Sequence, residues 1–128
     1  MSKAIEVDLL SKEIMKALES YSDDISEIVE NVANRVGKKA TSELKRNSPK
    51  GSRKSYSKGW RLKKDRLSKN KYTIKIYNKT DYQLTHLLEF GHANRDGSRT
   101  KAQAHIRPVE EKYSKEFEME LKKEIGGL

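Results

Sequence analysis

The sequence predicts an α+β fold: a long N-terminal helix packed on a small antiparallel sheet, with a short middle helix and a C-terminal helix. Three observations carry it. Ile14, Leu18, Tyr21, Ile25, Ile28, Val32, Val36, Ala40 and Leu44 recur at steps of three and four, the period of one helix face. Lys71 to Tyr77 then alternates, with Tyr72, Ile74 and Ile76 on one side and Thr73, Lys75 and Tyr77 on the other. A second helical stripe, Val109, Tyr113, Phe117, Leu121 and Ile125, follows at steps of four. At 128 residues the chain is one domain by size, 1–128. With 34% hydrophobic and 37% charged residues, its core is lean.

The first helical pattern extends from about Val7 to Lys45 without a proline. A continuous helix of that extent would span about 58 Å, against a diameter near ~36 Å for a compact domain of this size. Either it breaks at Ser20-Tyr21-Ser22-Asp23-Asp24, where short oxygens suit an N-cap, or it projects onto another subunit. Residues 1–20 are thus a candidate separate helix or arm. Asn47-Ser48-Pro49 stops the helix, because proline lacks a donor and pushes its predecessor out of the helical region.

Residues 47–58 read as an exposed basic loop. Trp60 and Leu62 alternate with Arg61 and Lys63, Leu67 to Asn70 supplies a turn, and the strand from Lys71 completes a hairpin. A hairpin alone is marginal in water, so the helix must cover its apolar face. Thr80 or Asp81 can cap a short helix with Leu84, Leu87 and Leu88 inward, and Gly91 ends it. Residues 92–103 form a second exposed loop, with a tight turn at Asp96-Gly97. His105-Ile106 returns to the sheet, and Pro108 takes the first position of the last helix. Both loops are expected to be mobile in the isolated protein.

The net charge of +9 is unevenly placed: Lys45 to Lys79 holds 14 Lys or Arg and one acid, Asp65. Such a block is either a solvated surface or a seat for an anionic partner, nucleic acid or the acidic face of a protein. The candidate contact cations are Lys50, Arg53, Lys54 and Lys58 in the first loop. Arg61, Lys63 and Lys64 follow on the strand, and Arg95, Arg99 and Lys101 in the second loop. Tyr56, Trp60, Tyr72 and Tyr77 interleave with cations, the pattern of a nucleic-acid binder, yet in the strands they share faces with aliphatic residues that a thin core needs. There is no cysteine, hence no disulfide or thiolate site. No stretch approaches the ~20 apolar residues of a membrane span and no signal peptide is evident, so a soluble intracellular protein with no membrane contact is expected.

The histidines are the sharpest candidates for chemistry. His86, Glu89 and His92 step by three and His105 could close a metal set, but Gly91 should end the helix before His92, and the spacing fits no zinc signature. A histidine donating to a backbone carbonyl is the preferred role for His86 and His105. No Gly-x-Ser-x-Gly elbow and no phosphate-binding glycine loop are present. Neither an enzyme nor a cofactor is expected.

Several short blocks occur together and in order. They are Leu44-Lys45, Ser48-Pro49, Tyr56-Ser57-Lys58-Gly59-Trp60, Tyr77-Asn78-Lys79-Thr80, His86-Leu87-Leu88-Glu89-Phe90-Gly91-His92, and His105-Ile106-Arg107-Pro108 before Glu110-Glu111. Over about Leu18 to Glu120 this combination resembles a family of tailed-bacteriophage neck and tail-completion proteins named after the tenth gene product of a lambda-like phage. Gly51-Ser52 stands where members often have Thr-Gly, and Ala104 where proline is common. The resemblance implies a non-enzymatic virion component at the head–tail junction, present in the host cytoplasm during assembly. It implies a ring of subunits between connector and tail tube, whose partners are itself and the neighbouring connector and tail proteins. It makes His86, Leu87, Leu88, Glu89, Phe90, Gly91, His92, His105 and Pro108 a structural joint. The basic block is left facing double-stranded DNA in the lumen or an acidic protein surface, and the alternative function is sequence-nonspecific nucleic-acid binding through residues 45–79.

Overall fold

The computed structural model describes residues 7–8, 23–50, 54–68 and 71–126. In chain order the elements are β1 (Val7–Asp8), α1 (Asp23–Asn47), α2 (Lys54–Lys58), β2 (Trp60–Ser68), β3 (Lys71–Asn78), α3 (Leu84–Phe90), β4 (His92–Ala93), β5 (Arg99–Thr100) and α4 (Ile106–Ile125). The fold is α+β, with α1 and α4 on one face of a three-stranded antiparallel sheet of order β1-β3-β2.

The sheet is one strand wider than the expected hairpin. Val7–Asp8, read from sequence as the start of the helix, is extended and pairs with β3, Val7 opposite Ile76 and Asp8 opposite Lys75. β2 occupies only one edge of β3, so the other is open to any short extended segment. Two residues carry no readable period. α1 begins at Asp23 and has 25 residues, about 37 Å, so nothing in its described length forces it beyond its own domain. The expected break near Ser22 and the arm over 1–20, Val7–Asp8 apart, lie outside the described residues.

β2 and β3 pair from Trp60↔Asn78 through Lys63↔Lys75 to Arg66↔Tyr72, with an irregularity before Ser68. Alternation sends Trp60, Leu62, Ile74 and Ile76 to the helix side and Arg61, Lys63, Lys75 and Tyr77 to the opposite side. Gly37 lets α1 approach closely: a Cβ there would stand 2.8 Å from Ile74 Cδ1 and 3.0 Å from Leu62 Cδ1. Val32, Val36, Ala40 and Leu44 of α1 and Val109, Tyr113, Phe117 and Leu121 of α4 complete the core. The two helices run antiparallel, as the ion pairs Arg35–Glu124 (3.4 Å), Lys39–Glu116 (3.2 Å) and Lys112–Glu43 (2.7 Å) show. Apart from Glu43, at 13%, their side chains are about a third or more exposed, so these pairs fix register more than they stabilise.

The stop at Asn47-Ser48-Pro49 also fastens the sheet. Ser48 donates to the Leu44 carbonyl from its amide (3.0 Å) and its hydroxyl (2.5 Å), and the buried Trp60 indole N–H donates to the same hydroxyl at 2.7 Å. Residues 47–58 are therefore not simply an exposed loop. Lys54–Lys58 is helical with Tyr56 and Ser57 buried, because Tyr56 supplies core volume and the Asn78 side-chain amide donates to its carbonyl at 2.7 Å. Nor does the second loop lack structure: His92 pairs with Thr100 and Ala93 with Arg99, and the Asp96 carboxylate accepts the amide (3.0 Å) and hydroxyl (2.6 Å) of Ser98. These bonds shape residues 92–100 into a short hairpin.

Ser48→Ala leaves the Trp60 indole N–H buried without an acceptor, so a loss of about 1–3 kcal/mol is expected in urea unfolding. A change within about 0.5 kcal/mol would show that water replaces the hydroxyl.

Candidate functional site

The residues singled out from sequence meet where α3 ends and α4 begins. The turn before α3 is made by the backbone, Leu84 N–H to Asp81 C=O at 2.9 Å, and Gln83 is the N-cap with no side-chain bond. The expected caps work elsewhere: Asp81 accepts from Ser55 Oγ (2.6 Å) and Thr80 Oγ1 donates to the Ser55 carbonyl (2.9 Å). The inward side of α3 also differs from the leucine stripe read from sequence. Thr85 and Glu89 are the buried residues, Leu84 and Leu88 pack partly buried on the core, and Leu87 is intermediate outside that cluster.

Glu89 explains this. One carboxylate oxygen, Oε1, accepts the amides of His105 (2.8 Å) and Ile106 (2.9 Å), and Oε2 accepts that of Arg107 (3.0 Å). These are the first amides of α4, which a helix cannot bond internally. The next residue is Pro108, third in the helix rather than first, and it has no amide. Every orphan donor of that helix end is thus met or absent. His105-Ile106, expected to return to the sheet, forms this helix start because the carboxylate turns all three amides toward itself. Negative charge is favoured there by the helix dipole as well.

His105 is buried beside the carboxylate, its Nδ1 3.1 Å from Glu89 Oε1. The same Nδ1 lies 2.7 Å from the Gln103 carbonyl, which can only accept, so Nδ1 carries the proton. Nε2 then accepts from the Tyr56 hydroxyl at 2.6 Å. Burial pushes the His105 pKa below its ordinary 6.5, and burial, then Glu89 and Asp81, hold the Tyr56 phenol far above its usual range. The ring is neutral and the phenol is protonated, as the bonds require. Tyr56 meets Trp60 and His105 edge-on, with centroids 5.6 and 5.5 Å away.

Gly91 closes the joint. Its φ is +74°, and a Cβ would collide with the Thr100 carbonyl of β5. The Gln103 amide donates to the Leu88 carbonyl at 2.8 Å, tying the hairpin's return to α3. His86 and Phe90 face outward with ring centroids 5.1 Å apart, and Phe90 is 52% exposed. His92 lies on β4, its Nδ1 3.3 Å from the Ala93 carbonyl. Of the two histidines given a carbonyl partner from sequence, His105 has one and His86 stacks on Phe90 instead. Among the described residues no group of three could hold a metal ion.

The candidate cations divide. Lys50 Nζ donates to the Arg46 and Lys45 carbonyls (2.6 and 3.2 Å), closing the C-terminus of α1. Arg53 lies outside the described residues. Lys54 and Lys58 are exposed on α2, and Arg61 and Lys63 on the outer face of β2. Lys64 is opposite Ile74, on the helix side. Arg95, Arg99 and Lys101 are exposed on the hairpin, where Arg99 donates to the Phe90 carbonyl at 3.3 Å. Sequence reasoning placed Glu89 in the joint without its role and did not pair Tyr56 with His105. One signal was available: Ala104-His105 offers no short side-chain cap to α4, so the cap had to come from another element.

Fold and site together define a small α+β domain whose buried polar groups hold two helices at a fixed angle. The chain belongs to the family described as "Bacteriophage HK97-gp10, putative tail-component", which it matches over residues 12–91, well over half its length. The match takes in α1, α2, β2, β3 and α3 and ends at Gly91, so β1 and α4 lie beyond it. No curated protein and no solved structure matches the chain significantly. No described helix is long and apolar enough to cross a membrane.

Removing the Glu89 cap tests the joint. Glu89→Ala strands two buried amides and one part-buried amide and is expected to lose about 3–5 kcal/mol. Glu89→Gln keeps an oxygen for His105 and Ile106 but turns an NH2 on Arg107, for a loss of about 1–3 kcal/mol. Equal losses by urea unfolding would argue against the bifurcated cap. The lowered His105 pKa sets a pH dependence, since the unfolded chain binds the proton more readily. Stability is full above about 6.5, falls at up to ~1.4 kcal/mol per pH unit below it, and levels off under the folded pKa. Asp96, lowered from 3.8 by the Ser98 bonds, acts in a separate and more acid window. Urea midpoints between pH 8 and 5 check this, and a flat profile would contradict a buried neutral ring.

Proposed function

We propose that this tail-component family member is a structural subunit of the head–tail junction, where copies form a ring between the connector and the tail tube. Its partners are further copies of itself and the neighbouring connector and tail proteins. It resides in the virion, after passing through the host cytoplasm during assembly, and catalyses no reaction. The family match over α1, the β2–β3 hairpin and α3 carries the reading. The geometry supports it, because the groups a reaction would recruit are already engaged. Glu89 serves three backbone amides, and His105 serves Gln103 and Tyr56. The outward side of α3, where the 52% exposed Phe90 lies beside His86, and the 50% exposed Tyr82 of the preceding turn offer the aromatic anchors that subunit contacts favour.

Electron microscopy of particles made without this protein separates the outcomes. DNA-filled heads and detached tails are expected, and intact infectious virions would overturn the reading.

A further inference from the structure

One corner of the molecule brings together cations that are distant in sequence. α2, the start of β2 and the turn after β3 are tied by Asn78 Nδ2 to the Tyr56 carbonyl (2.7 Å), the Lys79 amide to the Gly59 carbonyl (2.8 Å), and Thr80 Oγ1 to the Ser55 carbonyl (2.9 Å). Arg61 Nη1 donates to the Lys58 carbonyl at 2.8 Å, which fixes the start of β2 against the end of α2. Lys54, Lys58, Arg61, Lys63 and Lys79 are all exposed on this corner. The acid beneath them, Asp81, is only 4% exposed and accepts from Ser55. Asp65, the acid farther along β2, is two residues from Lys63, about 7 Å along the strand, and four residues from Arg61, the one exposed acid against five cations.

We propose that this corner binds the phosphate backbone of duplex DNA without reading its sequence. The chemistry separates this partner from the alternatives. A protein interface needs apolar anchors at its centre. The exposed large hydrophobic residues among those described, Tyr82, Phe90 and Met119, lie on or beside α3 and on α4. Phosphates need only point charges and amides held in place. Single strands are bound by stacking bases on aromatic rings, but Tyr56 and Trp60 are 1% and 0% exposed, sealed beneath the corner. Tyr77, opposite Arg61, is half-buried. A duplex, which presents phosphates and asks for no stacking, fits what remains. The corner excludes cations that composition alone would include: Lys50 caps α1, and Lys64 emerges on the helix side of β2.

The inference does not rest on a position at the head–tail junction, since it concerns the isolated protein. Fluorescence anisotropy with a duplex and a single strand of equal length, from about 50 to 200 mM salt, tests it. The wild-type protein is expected to bind duplex at least as tightly as single strand, with log affinity falling linearly against log salt. The triple variant Lys54→Ala, Lys58→Ala, Lys63→Ala is expected to flatten that slope by about 2.7, at ~0.9 for each phosphate no longer neutralised. The hairpin variant Arg95→Ala, Arg99→Ala is expected to leave it unchanged. All three substituted lysines are exposed and outside the core, and circular dichroism verifies folding. No duplex binding near about 50 mM salt, or an unchanged slope in the triple variant, overturns the proposal. Tighter binding to the single strand overturns the assignment to duplex.

Discussion

Three amides at the start of α4 face the protein interior, and one carboxylate from a different helix accepts all of them. Without it, the buried His105 and Ile106 amides and the part-buried Arg107 amide would have no local acceptor, because neither Ala104 nor His105 carries a capping oxygen. α4 supplies five buried residues to the core, and the lean composition leaves little other apolar surface to replace them. The angle at which α4 leaves the joint therefore depends on where α3 places Glu89. That placement depends in turn on Gly91, whose positive φ and missing Cβ let the chain pass under the Thr100 carbonyl.

From Glu89 the polar contacts continue across the molecule. His105 lies against the carboxylate and accepts from Tyr56, Tyr56 packs edge-on against Trp60, and the Trp60 indole donates to Ser48, which closes α1. The Asn78 side chain holds the Tyr56 carbonyl from the end of β3. The short blocks that stood out in the sequence, from Ser48-Pro49 to His105-Ile106-Arg107-Pro108, converge on this one buried cluster. A network of this kind stabilises only when every member is satisfied, and here each bond constrains the next. Its members are separated by up to about sixty residues in sequence and by bonding distance in space.

What the sequence disclosed follows from that distinction. Helix periods, the proline stop at Pro49, the alternation in β3 and the glycine stop at Gly91 are local, and the α+β architecture could be read from them. Val7–Asp8 could not, because a two-residue strand is defined by the edge it meets. The helix at Lys54–Lys58 was hidden by the basic and serine residues around Tyr56, which suggest a loop until the burial of that tyrosine is known. The histidines drew attention as ligands because residue type is visible and partners are not. Glu89 looked like a third ligand, whereas its partners are backbone amides sixteen to eighteen residues away, which no side-chain pattern encodes.

The same network decides which groups face outward. Because Glu89 and Thr85 turn inward, α3 presents His86 and Phe90 to solvent, beside the exposed Tyr82 of the preceding turn. Because Tyr56 and Trp60 belong to the core, the neighbouring corner presents lysine and arginine with only the half-buried Tyr77 among them. The two surfaces differ in the physics of what they can bind. Aromatic groups held on a fixed helix lose little entropy on contact and suit a shape-specific protein surface. Lysines on flexible stems suit a repeating charge, where affinity comes from counterions released and register matters little. One buried network thus sets the exposed aromatics and the exposed cations on separate surfaces of a domain with a small core.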